Sequence, residues 1–414
     1  MKISKQNTIN YLIEISAAVA TIKDLDILLE KILLQARKIS NADAGSIYII
    51  NNNKLEFRIT QNDTLSKRLE TGKKLIYSIF SLEINNSTIA GFVANTGTTL
   101  NIDDVYKISE NEPYTFGKIY DERAQYRTCS MLTIPLKTHI GKIVGVLQII
   151  NAKNKNHEVI PFDSNILPIM EYFANSAAIA IERAQMTREM ILRMIKMAEL
   201  RDPKETGAHV NRVAAYSVEI YETWALKNKL PFSEIEYNRD ILRIAAMLHD
   251  VGKVGISDLI LKKPASFTQD EYEIMKKHTI LGARLFADKN SDVDIAACDI
   301  ALNHHERWDG TGYPGYVDIF TDTPLKGCEH PADKNKALGK KGVDIPLFAR
   351  IVAIADVYDA LSCSRVYKQA WTEEKVLQTL RENAGSQFDP ELIDCFFYSI
   401  DTIKSISERY KDNV

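Results

Sequence analysis

The stretch ILRIAAMLHDVGKVGI, residues 241–256, reads as a buried helix that ends on two polar side chains. Residues 241–248 are apolar except for Arg243, a run too continuous for the one-sided stripe of a surface helix. His249 and Asp250 follow at once, and Gly252 stands where a helix C-cap is expected. An imidazole and a carboxylate are therefore expected where a buried helix emerges into a cleft. A second run, residues 349–355, apolar except for Arg350, ends in the same way on Asp356.

Other groups of the same chemistry lie in the C-terminal half: Glu205 with His209, then His278, then His304 with His305. Glu205 and His209 are four apart, a spacing that puts both on one helix face. If Gly207 breaks the helix, they can still converge from a loop. A satisfied core histidine is the ordinary reading of any single position, but it fits poorly for five histidines together with Asp250 and Asp356. Imidazole and carboxylate without thiolate suit iron, manganese or zinc better than magnesium. An adjacent His-Asp pair allows Asp250 to bridge two ions while His249 holds one. Two ions at roughly 3.5–4 Å can clamp a phosphate during in-line displacement.

The remaining composition is compatible with that chemistry. At 414 residues, with 45% hydrophobic and 26% charged residues, the chain can build two or more cores. A net charge of -3 provides no field for a nucleic-acid duplex, so a small nucleotide is the better partner and DNA is not expected. Residues 1–8 are polar, and the apolar stretch 11–22 is interrupted by Glu14, which argues against a secretory leader or a membrane span. A cytoplasmic protein is expected. Cys129, Cys298, Cys328, Cys363 and Cys395 form no C-x-x-C pair and are expected to be reduced thiols.

The N-terminal part reads as mixed α and β. A helical pattern over residues 25–39 precedes strand-like runs at 46–50 and 55–59, joined by a turn at 51–53, and a second antiparallel pair at 131–136 and 142–150. A sheet with helices on one side is the expected fold for residues 1–162. From Asp163 one long helix is expected to run to about Leu200. Ile166, Met170, Phe173, Ala177, Ala180, Ala184, Thr187, Ile191, Met194 and Ala198 alternate steps of four and three along it. The first half of this seam could pack on its own domain. Beyond Ala184 a second chain is the expected cover, giving a parallel homodimer. Residues 201–414 read as all-helical apart from 312–345.

LHDVGKVGI, His278, HHERWDGTGYP (304–314), IVAIADVYDALSCSRVYK (351–368) and GSQFDPEL (385–392) together resemble the HD-GYP subgroup of HD metal-dependent phosphohydrolases. The resemblance implies a helical domain holding two or three divalent metals, most readily iron and alternatively manganese, that hydrolyses cyclic di-GMP to pGpG and possibly GMP. It implies His209, His249, Asp250, His278, His304, His305 and Asp356 as ligands, with Glu205 permitting a third ion. Lys253 would lie beside the metal-bound phosphate, joining His249 and Asp250 as catalytic groups, and Arg365 and Lys368 would hold the rest of the substrate. Those basic residues supply local charge that the composition lacks. Tyr313, flanked by glycine beside two ligand histidines, is placed to pack on a base.

The segment 315–344 is longer than in that pattern. It reads as a surface insertion, with Cys328, Glu329 and His330 as a possible ligand set. Towards the N-terminus, the helix 25–39, NADAGSIYII (41–50), GFVANTGTTLNIDDVY (91–106) and SMLTIPLKTHIGKIVGVLQIINAKN (130–154) resemble a GAF domain, a small-ligand sensor and dimerisation module. No Cys/His arrangement marks a haem or bilin, so its ligand stays open. The expected architecture is a GAF-like α+β sensor joined by a long helix to an all-α HD-type domain. Two other functions compete: an HD-type nucleotidase on another nucleotide, and a catalytically weak receptor. A receptor is expected to lack a ligand, and none is missing.

Overall fold

A computed structural model describes residues 21–69, 80–199, 207–362 and 371–410. The chain divides into two compact units, Met1–Glu189 and Met190–Val414. Glu205, Cys363, Arg365 and Lys368 lie outside the described residues.

In the first unit, α1 (Leu25–Ser40) is fixed at both ends by local chemistry. Asp24 Oδ1 accepts from the N–H groups of Asp26 and Ile27 at 2.9 and 3.1 Å, and Asn41 closes the helix in the left-handed region. The chain then enters an antiparallel sheet of β1 (Ala42–Asn51), β2 (Lys54–Asn62), β3 (Ser81–Glu83), β4 (Leu100–Ile102), β5 (Met131–Lys137), β6 (Ile143–Lys153) and β7 (Val159–Ile160). Its order is β3-β2-β1-β6-β5-β4, with β7 on β6. The two hairpins expected from the sequence are the β1/β2 and β5/β6 pairs.

Both faces of this sheet are covered, not one. Side chains alternate across a strand, so Ile47 and Ile49 join α1 in one core while Tyr48 joins Leu55, Phe57 and Val146 in another, beneath α2 (Ile89–Thr96). Missing the second cover followed from the shortness of α2, which has too few turns to display a helical period.

The long helix is α3 (Leu167–Glu199), preceded by a single 3-10 turn that Asp163 caps. Met170, Phe173, Ala177, Ala180 and Ala184 are buried against α1 and the sheet of their own unit. This half of the seam is therefore spent on the domain core. On another face Tyr172, Ile179 and Met186, spaced by seven, are exposed.

The second unit is helical. Its main elements are α4 (Gly207–Lys227), α5 (Phe232–Ala246), α6 (Gln269–Lys276), α7 (His278–Leu285), α8 (Asp292–Asn303), α9 (Leu347–Ser362), α10 (Glu373–Glu382), α11 (Pro390–Tyr398) and α12 (Ile400–Arg409). Tyr216, Ile220, Leu242, Ile300, Ile351, Ile354 and Phe396 form its core. Between α8 and α9 the segment 315–344 carries the small ladder β8 (Glu329–His330) and β9 (Asp333–Ala337). None of the described helices is long and apolar enough to cross a membrane.

The helix C-cap expected at Gly252 is not there. The helix ends at Ala246, and residues Val251–Gly255 form a 3-10 turn pressed onto α7. A Cβ on Gly252 would lie 1.9 Å from the carbonyl oxygen of His278 and 2.3 Å from the nitrogen of Gly282, so glycine is needed for close approach and not for backbone conformation. Gly252→Ala is expected to lower unfolding stability by about 3 kcal/mol, the upper range for overpacking, because backbone atoms cannot yield as a side chain can. Urea denaturation of the purified variant measures this.

Candidate metal centre

The residues of the centre come from five places in the helical unit. His209 lies in the first turn of α4, His249 and Asp250 follow α5, His278 begins α7, His304 and His305 follow α8, and Asp356 lies within α9. Packing of these helices brings the side chains into two adjoining groups: His209, His249 and Asp356, and Asp250, His278, His304 and His305. Within each group the potential ligand atoms lie within 4.8 Å of one another.

Asp250 joins the groups. Its Oδ1 is 3.2 Å from His278 Nε2 and 3.6 Å from His304 Nε2, while Oδ2 is 3.4 Å from His249 Nε2. Asp356 Oδ1 is 3.6 Å from His209 Nε2 and 3.9 Å from His249 Nε2. The two Asp250 oxygens thus face different imidazoles, Oδ1 those of His278 and His304 and Oδ2 that of His249.

The opposite ring nitrogens of three of these histidines face backbone carbonyls. His249 Nδ1 faces the carbonyl of Ala246 at 2.9 Å, His278 Nδ1 that of Met275 at 2.8 Å, and His304 Nδ1 those of Ile300 and Ala301 at 3.1 Å. Carbonyl oxygens only accept, so each Nδ1 carries the proton and each Nε2 presents a lone pair to the centre. Burial holds the His304 and His305 pKa values below the ordinary 6.5, keeping both rings neutral, the state a metal ligand requires. For Asp250, burial opposes ionisation, yet Lys253 and the neighbouring histidines hold its carboxyl well below the usual range. Lys253 Nζ donates to Asp250 Oδ2 at 2.7 Å.

Metal ions fit this arrangement. His278 Nε2, His304 Nε2 and Asp250 Oδ1 are buried and accept or donate no hydrogen bond among the described residues. An unsatisfied buried polar group costs about 1–3 kcal/mol, and here three converge on one point. Divalent cations would satisfy all of them at once.

Two supporting residues escaped the sequence reading. Asp359 Oδ2 accepts from His209 Nδ1 at 2.8 Å, and Arg212 grips the same carboxylate through Nε at 2.6 Å and a terminal nitrogen at 2.9 Å. Asp356 and Asp359, three apart on α9, therefore bracket the His209 ring, one at each nitrogen. The matching three-residue spacing of His209 and Arg212 on α4 was the available signal. Glu306 was also missed: its carboxylate accepts from the N–H of Gly315 at 2.5 Å and of Lys340 at 3.1 Å, tying down both ends of the insertion. Burial pushes Glu306 up to about 7.

Tyr313 stacks on His305 with centroids 4.9 Å apart. Glu329 and His330 are exposed on β8, and neither they nor Cys328 belong to a potential metal group among the described residues.

Residues 24–181 match the GAF domain family and residues 206–361 the HD domain family. The chain thus carries a GAF domain followed by an HD domain. It is 37% identical over 237 residues, 56% of this chain and 48% of the relative, to a probable cyclic di-GMP phosphodiesterase of Vibrio cholerae. A cyclic di-GMP phosphodiesterase of Thermotoga maritima is 34% identical over 54% of this chain and 52% of its own. A 3'3'-cGAMP-specific phosphodiesterase of Vibrio cholerae is 32% identical over 62% of this chain and 44% of its own. The chain spans about half the length of these curated relatives. Among solved structures, the GAF domain of an Acinetobacter phosphoenolpyruvate-protein phosphotransferase is 16% identical over 44% of this chain and 97% of that chain, with a TM-score of 0.33.

Replacing Asp359 with Asn removes the charge that orients His209 while keeping its shape. Metal affinity is expected to fall about 10–100-fold, the usual effect of losing such a partner. Titration of the metal-free variant with manganese, read by calorimetry, checks this.

Proposed function

We propose that the HD unit hydrolyses cyclic di-GMP at a centre where two divalent ions would be held by His209, His249 and Asp356 and by Asp250, His278, His304 and His305. The observation that carries this is the pair of Asp250 oxygens facing separate imidazole groups across a buried centre. Iron, or alternatively manganese, suits the donors. Glu205 is the residue for a third ion, which would let the first product, pGpG, be cut to GMP. Bound ions would supply Lewis acidity and charge neutralisation for attack on a phosphodiester.

The chain's own groups do the rest. Lys253, three residues from Asp250, is within reach of a phosphate oxygen at the centre and offsets its charge. Tyr313 presents its ring to a nucleobase. Arg365 and Lys368 are assigned to the second phosphate by family resemblance. Names of the relatives favour a cyclic dinucleotide over a mononucleotide, and a relative named for 3'3'-cGAMP keeps that substrate as the second reading. The GAF unit is the regulatory input, its small ligand unassigned, and the protein works in the cytoplasm.

His249→Ala and Asp250→Ala are expected to abolish cyclic di-GMP turnover by anaerobically purified protein, whereas Arg365→Ala chiefly raises KM. Chromatographic product analysis with parallel elemental analysis checks this. Cyclic di-GMP left intact by a fully metallated wild type would refute the assignment.

The exposed face of α3 carrying Tyr172, Ile179 and Met186 supports a parallel homodimer, because a seven-residue spacing returns each side chain to the same side of a paired helix. Sedimentation at micromolar concentration is expected to give a dimer, and Ile179→Glu a monomer.

A further inference from the structure

Beside the metal centre stands a corner of aromatic and charged side chains, of which the reading above uses only Tyr313. Tyr313, stacked on His305, meets Tyr272 of α6 edge to face, with centroids 6.4 Å apart. Lys276 Nζ lies 4.7 Å from the Tyr272 centroid and 5.3 Å from that of Tyr313. Glu273 accepts from Lys276 Nζ at 2.9 Å and from Gln269 Nε2 at 3.0 Å, both at Oε1. Its Oε2 accepts none among the described residues. Lys336, from β9 of the insertion, stands 3.7 Å from the same carboxylate. The corner is covalently close to the centre, since Met275, one residue before Lys276, provides the carbonyl that fixes His278.

We infer that Tyr272, Glu273 and Lys276, walled by Lys336 of the insertion, form a base-reading subsite selective for guanine. The inference rests on the phosphodiesterase reading and deepens it. Tyr272 is partly exposed, and a tyrosine ring stacks any base, at about 1–3 kcal/mol per base, so it gives affinity without choice. Choice comes from the ammonium and carboxylate side by side. Guanine offers a carbonyl acceptor at O6 next to the N1–H and N2–H donors, which matches a lysine donor next to a carboxylate acceptor. Adenine reverses this order, placing an amino donor against the ammonium and a ring acceptor against the carboxylate. The cation also lies over two π faces, which favours its position without neutralising its donors.

The insertion explains why the pair is held. Glu273 bears two lysines, so its carboxylate stays ionised and Lys276 need not give up its whole charge to it. Arg284 of α7 and Lys277 both engage Asp322 of the insertion, Lys277 at 3.4 Å, which keeps the wall against α6 and α7.

The test compares wild type, K276M and E273Q, each checked for metal content, in two assays. The first is kcat/KM for cyclic di-GMP and cyclic di-AMP. The second is inhibition of bis(p-nitrophenyl) phosphate turnover by GMP and AMP. Wild type should favour guanine in both, and each variant should reduce the preference about tenfold or more, within the range for base-specific pairs. Variants that keep the wild-type ratio within twofold at unchanged metal content would overturn the subsite. If wild type cleaves neither cyclic dinucleotide, the phosphodiesterase reading fails, while the GMP-to-AMP inhibition ratio still supports or overturns guanine selection.

Discussion

The helical unit depends on one carboxylate serving two sets of imidazoles. Asp250 is nearly buried, so its charge is tolerable only where cations or proton donors surround it. Lys253 supplies one such partner and the histidines define where others sit. Every helix contributing a ligand must be correctly placed for this arrangement to exist, which makes the centre a result of tertiary packing and not of a local motif. The core of Tyr216, Leu242, Ile300 and Ile354 is what holds α4, α5, α8 and α9 at those positions.

A second layer converts position into orientation. Backbone carbonyls at the ends of α5 and α8, and just before α7, accept hydrogen bonds from Nδ1 of His249, His278 and His304, so the tautomers of these three rings are set by groups that cannot titrate. His209 differs because Asp359 orients it, and Arg212 in turn holds Asp359.

Much of this was legible because chemistry and burial conflict at the ends of apolar runs. His249, Asp250 and Asp356 stand out where continuous hydrophobic sequence meets groups that resist burial. Gly252 was legible as special but for the wrong reason, since a sequence does not reveal which helix will lie 2 Å from a missing side chain. Asp359 and Arg212 left only a weak trace, a three-residue spacing to Asp356 and to His209, because an ion pair across two helices does not show in either helix which partner it will meet. The seam on α3 had the right period for two different covers, and only the tertiary fold shows that its first half faces its own sheet. In the GAF unit the hairpins were readable from alternation and turn residues, whereas the cover on the second face rests on a helix too short to signal itself.

The grip of Glu306 on the N–H groups of both Gly315 and Lys340 has an evolutionary reading. A chain segment whose two ends are pinned by a single side chain behaves as a graft on a fixed stem, and the entropy of closing it grows only slowly with length. Substitutions or length changes between those ends alter the wall beside Tyr313 while leaving the ligand geometry to the helices. Selectivity and catalysis can then diverge at different rates within one domain, with a new substrate preference reached by rewriting a loop and not by rebuilding a metal centre.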